Sequence, residues 1–132
     1  MERRLFTAEE ADELLPWLRG VLQKIGECRN QINSKLEEIK PLSQKSKSNG
    51  GGRLGEELKL KQEEISELSE AANKLNEEIQ QKGCILKDLD NGLVDFPSMR
   101  GGREVYLCWC LGEERVSYWH ELDTGFAGRQ PL

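Results

Sequence analysis

The chain has 132 residues, 33% of them charged and 6% aromatic. Its 19 Lys+Arg stand against 24 Asp+Glu, a net charge of −5. A chain of this length forms one domain or a small core with an extension. The acid excess disfavours a general grip on nucleic acid or on an anionic membrane. No apolar run approaches the roughly 20 residues of a membrane span, and no apolar h-region follows Met1–Phe6.

Helix one opens at Thr7-Ala8-Glu9-Glu10, which has the S/T-x-x-E form of a capping box. Phe6 before the cap and Ala11 at the fourth helical position form a modest hydrophobic staple. Apolar residues then fall at Ala11, Leu15, Leu18, Leu22, Ile25, Ile32, Leu36 and Ile39, with Arg29 interrupting the seam. Leu14, Val21 and Cys28 widen the early stripe, so the N-terminal half of this helix meets more than one partner. Pro16 removes one backbone hydrogen bond and predicts a kink near Asp12. Pro41 helps to end the helix, and the polar Ser/Gly/Lys stretch 43–52 reads as a flexible loop. It lacks the spacing of a phosphate-binding loop.

Helix two runs from about residue 54 to 82, with its seam at Leu54, Leu58, Ile65, Leu68, Ala72, Leu75 and Ile79, and Gly83 as its C-terminal cap. Two heptad-like helices joined by a short polar loop predict an antiparallel hairpin. Arg29 is then placed near Glu63 or Glu67.

Past Gly83 the composition changes to aromatic and β-branched residues, hence strand and turn. Asn91-Gly92 between two strand-like runs predicts a type I′ hairpin. Closing it there opposes Asp88 to Asp95, an arrangement that needs a compensating group or a shifted register. Residues 103–111 and 115–122 form a second hairpin around Gly112-Glu113-Glu114. The expected register puts Val105, Leu107, Trp109 and Leu111 on one face with Val116, Tyr118, His120 and Leu122. The other face carries Tyr106, Cys108, Cys110, Ser117, Trp119 and Glu121, and is aromatic enough to need a cover. Residues 97–103 read as a loop with a local basic cluster. Residues 123–132 read as an ordered tail folding back over the sheet.

The expected architecture is therefore α+β. A long antiparallel, coiled-coil-like helical hairpin (1–83, with the loop at 43–52) packs with a small four-stranded antiparallel β-meander and tail (84–132), as one continuous domain. The open seam and the aromatic face both predict self-association as a homodimer.

Several blocks together resemble the uncharacterised prokaryotic family catalogued as domain of unknown function 2203. They are Phe6-Thr7-x-x-Glu10-Ala11, Leu14-Leu15-Pro16, the run from Leu86 to Pro97, Val105-Tyr106-Leu107-Cys108-Trp109, and Tyr118-Trp119-His120-Glu121-x-Asp123-x-Gly125-Phe126-Ala127-Gly128-Arg129. The resemblance spans nearly the whole chain and implies a bacterial cytoplasmic protein. It brings no activity, cofactor or catalytic residue.

The candidate chemistry lies in the C-terminal half. His120, the single histidine, forms His-Glu-x-Asp with Glu121 and Asp123, the one set expected to hold a metal if any does. On a strand His120 and Glu121 point to opposite faces, and the expected register keeps Cys108 and Cys110 away from His120. Asp88 and Asp95 add carboxylates, and Trp119 and Arg129 complete a candidate ligand-binding set. Arg129 suits a phosphate or carboxylate ligand, or a lock of the tail onto Asp95 or Asp123. Arg100 and Arg103 with Trp119 form a patch that could stack bases, against the net charge. No nucleophile-elbow motif surrounds the serines or cysteines. The four cysteines, Cys28, Cys84, Cys108 and Cys110, read as reduced thiols, and Cys108-Trp109-Cys110 is C-x-C rather than C-x-x-C. These readings favour a non-enzymatic cytoplasmic interaction or scaffold protein with no cofactor, self-associating and meeting an unidentified protein partner. A ligand- or metal-binding module and a weak nucleic-acid binder are the alternatives.

Overall fold

The computed structural model describes residues 4–49 and 52–132, with side chains described outside 43–49. The order is α1 (Ala8–Asn49), α2 (Arg53–Gln81), β1 (Ile85–Asp88), β2 (Leu93–Arg100), β3 (Arg103–Cys110), β4 (Tyr118–His120), a 3-10 turn (Phe126–Gly128) and β5 (Gln130–Pro131). The α+β class holds. The chain forms two compact units, Met1–Leu22 with Asn76–Leu132, and Gln23–Leu75.

The second unit is the helical hairpin. Lys35 pairs with Glu64, and Lys61 donates to Glu38 at 2.6 Å, so α1 and α2 run antiparallel. Helix α1 continues past Pro41 to Asn49. Residues 43–49 of the expected loop are therefore helical in backbone, and residues 50–51 lie outside the described residues.

In the first unit the capping box forms as read. The Glu10 amide donates to Thr7 Oγ1 at 3.1 Å, and the Thr7 amide donates to Glu10 Oε1 at 2.9 Å. Those bonds hold the Glu10 carboxyl below its usual range. Phe6 is buried edge-on against Phe96, with ring centroids 5.2 Å apart. Its amide donates to Pro97 O, and Ser98 Oγ donates to Phe6 O. The N-terminal segment thus occupies the side of β2 beyond the end of β1.

Ala11, Leu15, Leu18, Val21 and Leu22 bury the inner stripe of α1. Asp12 accepts from the Val116 amide at 2.7 Å, and Arg19 donates to Glu114 O at 2.9 Å. At the end of α2, Gly83 (φ 94°) donates to Gln80 O and Cys84 donates to Ile79 O. This is a Schellman close over the buried Ile79–Cys84 contact positions.

The sheet is an antiparallel meander ordered β1-β2-β3-β4-β5. It has five strands rather than four, because the tail adds β5: Gln130 pairs with Trp119 and Pro131 with Tyr118. Three local expectations change. First, β1 pairs Ile85 with Asp95 and Asp88 with Leu93, so the two aspartates are not opposed. Asp88 accepts from the amides of Asp90 (2.9 Å) and Asn91 (3.4 Å) and from Asn91 Nδ2 (2.8 Å). That side-chain turn replaces the type I′ geometry, and only Gly92 takes positive φ, 64°. Second, residues 97–100 belong to β2. Gly101-Gly102, at φ 58° and 80°, makes the tight turn to β3 that the basic-loop reading overlooked.

Third, β3 and β4 pair one residue out of the expected register: Tyr106 with His120, Leu107 with Trp119, Cys108 with Tyr118. Opposed residues share a face, so Trp119 joins Phe96, Leu107 and Trp109 on the core side. His120 and Tyr118 join Tyr106 and Cys108 on the other. The connection occupies 111–117 rather than a three-residue turn.

Candidate metal centre

The one-residue register shift builds the site. Asp95 on β2 stands directly opposite Cys108 on β3, and His120 on β4 sits diagonal to Cys108. One ligand atom from each of Asp95, Cys108 and His120 lies within 4.8 Å of the others. All three residues are buried, at 2%, 0% and 2% exposure. The Tyr106 ring meets His120 edge-on at 5.6 Å, and the Lys87 ammonium lies 5.3 Å from the Tyr106 centroid.

Hydrogen-bond geometry fixes the histidine. Nδ1 lies 2.7 Å from Glu121 O, a carbonyl that can only accept, so Nδ1 carries a proton. Nε2 lies 3.1 Å from each oxygen of the Asp95 carboxylate. The Cys108 thiol is pushed up to about 12, first by burial and then by the Asp95 charge. It is a protonated, enclosed thiol rather than a nucleophile at neutral pH. The Asp95 carboxylate adjoins both the Cys108 thiol and the His120 ring, and the three ligand atoms lie within 4.8 Å of one another.

The other sequence candidates lie elsewhere. Glu121 pairs its carboxylate with Arg103 and lends the site only its backbone carbonyl. Asp123 is exposed in the turn after β4. The set His120, Glu121 and Asp123 therefore does not converge, because alternate residues of an extended chain face opposite ways. Asp88 is occupied by its turn and lines a 330 Å³ cleft with Asn91, Leu93, Cys110 and Phe126. Trp119 is a core residue, its ring under the Arg100 guanidinium at 4.7 Å, so it offers no free face to a base.

Arg129 is a lock. Its guanidinium lies 4.1 Å from the Tyr118 centroid and 4.8 Å from that of Phe126. It donates to Cys108 O at 3.1 Å and to Glu113 Oε1 at 2.6 Å. The partner is Glu113, not Asp95 or Asp123. Glu113 in turn accepts from the Cys110 amide at 2.7 Å, so one carboxylate ties the β3–β4 connection to the tail.

Cys108 is the site residue that sequence reasoning set aside. A signal existed: placing Trp119 rather than His120 with Leu107 and Trp109 buries more apolar surface. That choice puts Cys108 and His120 together.

The fold and the cluster define a two-unit α+β protein, a helical hairpin and a five-stranded meander with a buried carboxylate–thiol–imidazole set. The chain belongs to the family of uncharacterized conserved proteins DUF2203, which it matches over residues 4–132. No curated protein and no solved structure matches it significantly. Among the described residues, no helix is long and apolar enough to cross a membrane.

Proposed function

We propose that the protein is a non-enzymatic, cytoplasmic interaction protein that self-associates as a homodimer through its helical hairpin. The observation that carries this reading is the state of the hairpin's seam. Ile32, Ile39, Leu54, Leu58, Ile65, Leu68, Ala72 and Leu75 are half-buried, and Leu36 is 48% exposed. Two helices cannot enclose a heptad stripe from both sides. A second hairpin can, as in a four-helix bundle. The flanking Lys35–Glu64 and Lys61–Glu38 pairs hold the register of such a stripe without covering it.

The sheet gives less reason for self-association than its composition suggested, since Tyr118 on its second face is covered by the chain's own Arg129. A small-ligand reading centred on Arg129 also loses support, because that guanidinium is already bonded and stacked. The four cysteines are free thiols, which suits a reducing compartment.

Sedimentation velocity over a concentration series tests the proposal. The expected result is a dimer that Leu36→Glu converts to a monomer with helix content retained. A wild-type chain that stays monomeric at all concentrations overturns it.

A further inference from the structure

We propose that Asp95, Cys108 and His120 form a binding site for a single divalent cation of the zinc class. The proposal is independent of the hairpin reading. It begins with the donors. Three adjacent strands deliver one oxygen, one sulfur and one nitrogen ligand to a common point, all within 4.8 Å of one another. Tetrahedral ligation at about 2.0–2.3 Å needs ligands about 3.3–3.8 Å apart, so small side-chain rotations close the set. Mixed N/S/O donors suit Zn²⁺ or Co²⁺. Ca²⁺ and Mg²⁺ ask for oxygen ligands that this cluster does not supply.

The second argument is the histidine. With Nδ1–H donating to Glu121 O, a neutral ring turns its Nε2 lone pair toward both oxygens of Asp95. A lone pair and a carboxylate do not bond each other. A proton, held by the ring or by Asp95, or a metal ion must lie between them. A metal-bound histidine typically donates its other N–H to a carbonyl or carboxylate, which fixes the tautomer, and Glu121 O fills that role here.

The third argument is burial. A carboxylate at 2% exposure needs a compensating charge. Arg129, the nearby guanidinium, is directed to the Cys108 carbonyl and to Glu113. Ligation replaces the thiol proton, which leaves to solvent, so the ion is held by a thiolate, a carboxylate and a neutral imidazole. The fourth position is left to a water-sized ligand.

The test uses the full chain, unfolded with chelator and refolded with one equivalent of Co²⁺ so that burial does not bar loading. The expected result is one Co²⁺ per chain with a thiolate-to-cobalt charge-transfer band. Zn²⁺ should displace it and raise the melting temperature by several degrees. Cys108→Ser, a near-isosteric change, should abolish the band, while Cys110→Ser should leave it intact. His120→Gln should weaken Co²⁺ affinity at least tenfold. Refolded wild-type protein that shows no band and no stabilisation by either metal overturns the proposal. So does a band that survives Cys108→Ser. Either result leaves the cluster as a proton-shared Cys–Asp–His network.

Discussion

Replacing Arg129 with alanine tests how the tail is held. The substitution removes the 2.6 Å charged bond to Glu113 and the 3.1 Å bond to Cys108 O, together with the stacking on Tyr118 and Phe126. A hydrogen bond to a charged group contributes about 1.5–3 kcal/mol, and each partly exposed cation–π contact about 0.5–1 kcal/mol. The buried Nε of Arg129 has no partner, which offsets part of that gain in the native protein. The expected loss is about 3 kcal/mol, a urea midpoint lower by about 1.5 M. Trp17, Trp109 and Trp119 all belong to the unit that contains the sheet, so tryptophan fluorescence reads that unit selectively. Hydrogen exchange should show residues 126–132 losing protection in the variant. Arg129→Lys keeps the charge but not the planar stack, and should recover less than half of the loss. A loss under about 1 kcal/mol, or full recovery with lysine, refutes the locking role.

The thiols and the turns supply two further expectations. Cys84 and Cys108 are raised by burial to about 11 and about 12. Ellman's reagent at pH 8 should therefore label Cys28 and Cys110 quickly and the buried pair only on unfolding; fast labelling of Cys108 contradicts the enclosed site. In the metal-free protein both buried thiols hold their protons more tightly folded than unfolded. Their contribution to stability is full below the ordinary value of 9.0 and is lost as pH rises from there through about 11 and 12, which alkaline unfolding titrations read directly. At Gly92, φ is 64° and a Cβ would stand 2.6 Å from Leu111 Cβ. Gly92→Ala should cost about 2 kcal/mol or more in a urea melt. Gly101→Asn, in an open left-handed position of the tight turn, should change stability by less than about 0.5 kcal/mol.

Much of the helical part was legible in the sequence because its determinants are local. Thr7 and Glu10 sit three residues apart and cap one another. The four-three spacing of leucines needs no knowledge of the rest of the chain. What misled was competition between signals. Asn91-Gly92 favours a type I′ turn, but the Asp88 side chain captures the amides of Asp90 and Asn91 first. Gly101-Gly102 carries the same turn chemistry and was masked by its arginine neighbours. The site was half legible: His120 and Asp95 stood out as the single histidine and an unusual strand carboxylate. Their partner Cys108 depended on a register that only the packing of Trp119 sets. A one-residue slip exchanges the two faces of a strand, so an error of one position set Cys108 apart from His120 and left only the local His-Glu-x-Asp run as a ligand set.

The margins of the sheet carry a consequence of their own. β1 is four residues long, with Lys87 at a break in its register, and β5 is two residues long and contains Pro131. Short strands, a bulge, a lysine and a proline are the devices by which sheets avoid templating another chain. The outermost strands thus offer an incoming strand little unpaired backbone to copy. Aggregation by edge-to-edge growth is suppressed at both margins, and a partner that recognises proteins by strand addition finds no long edge here to extend.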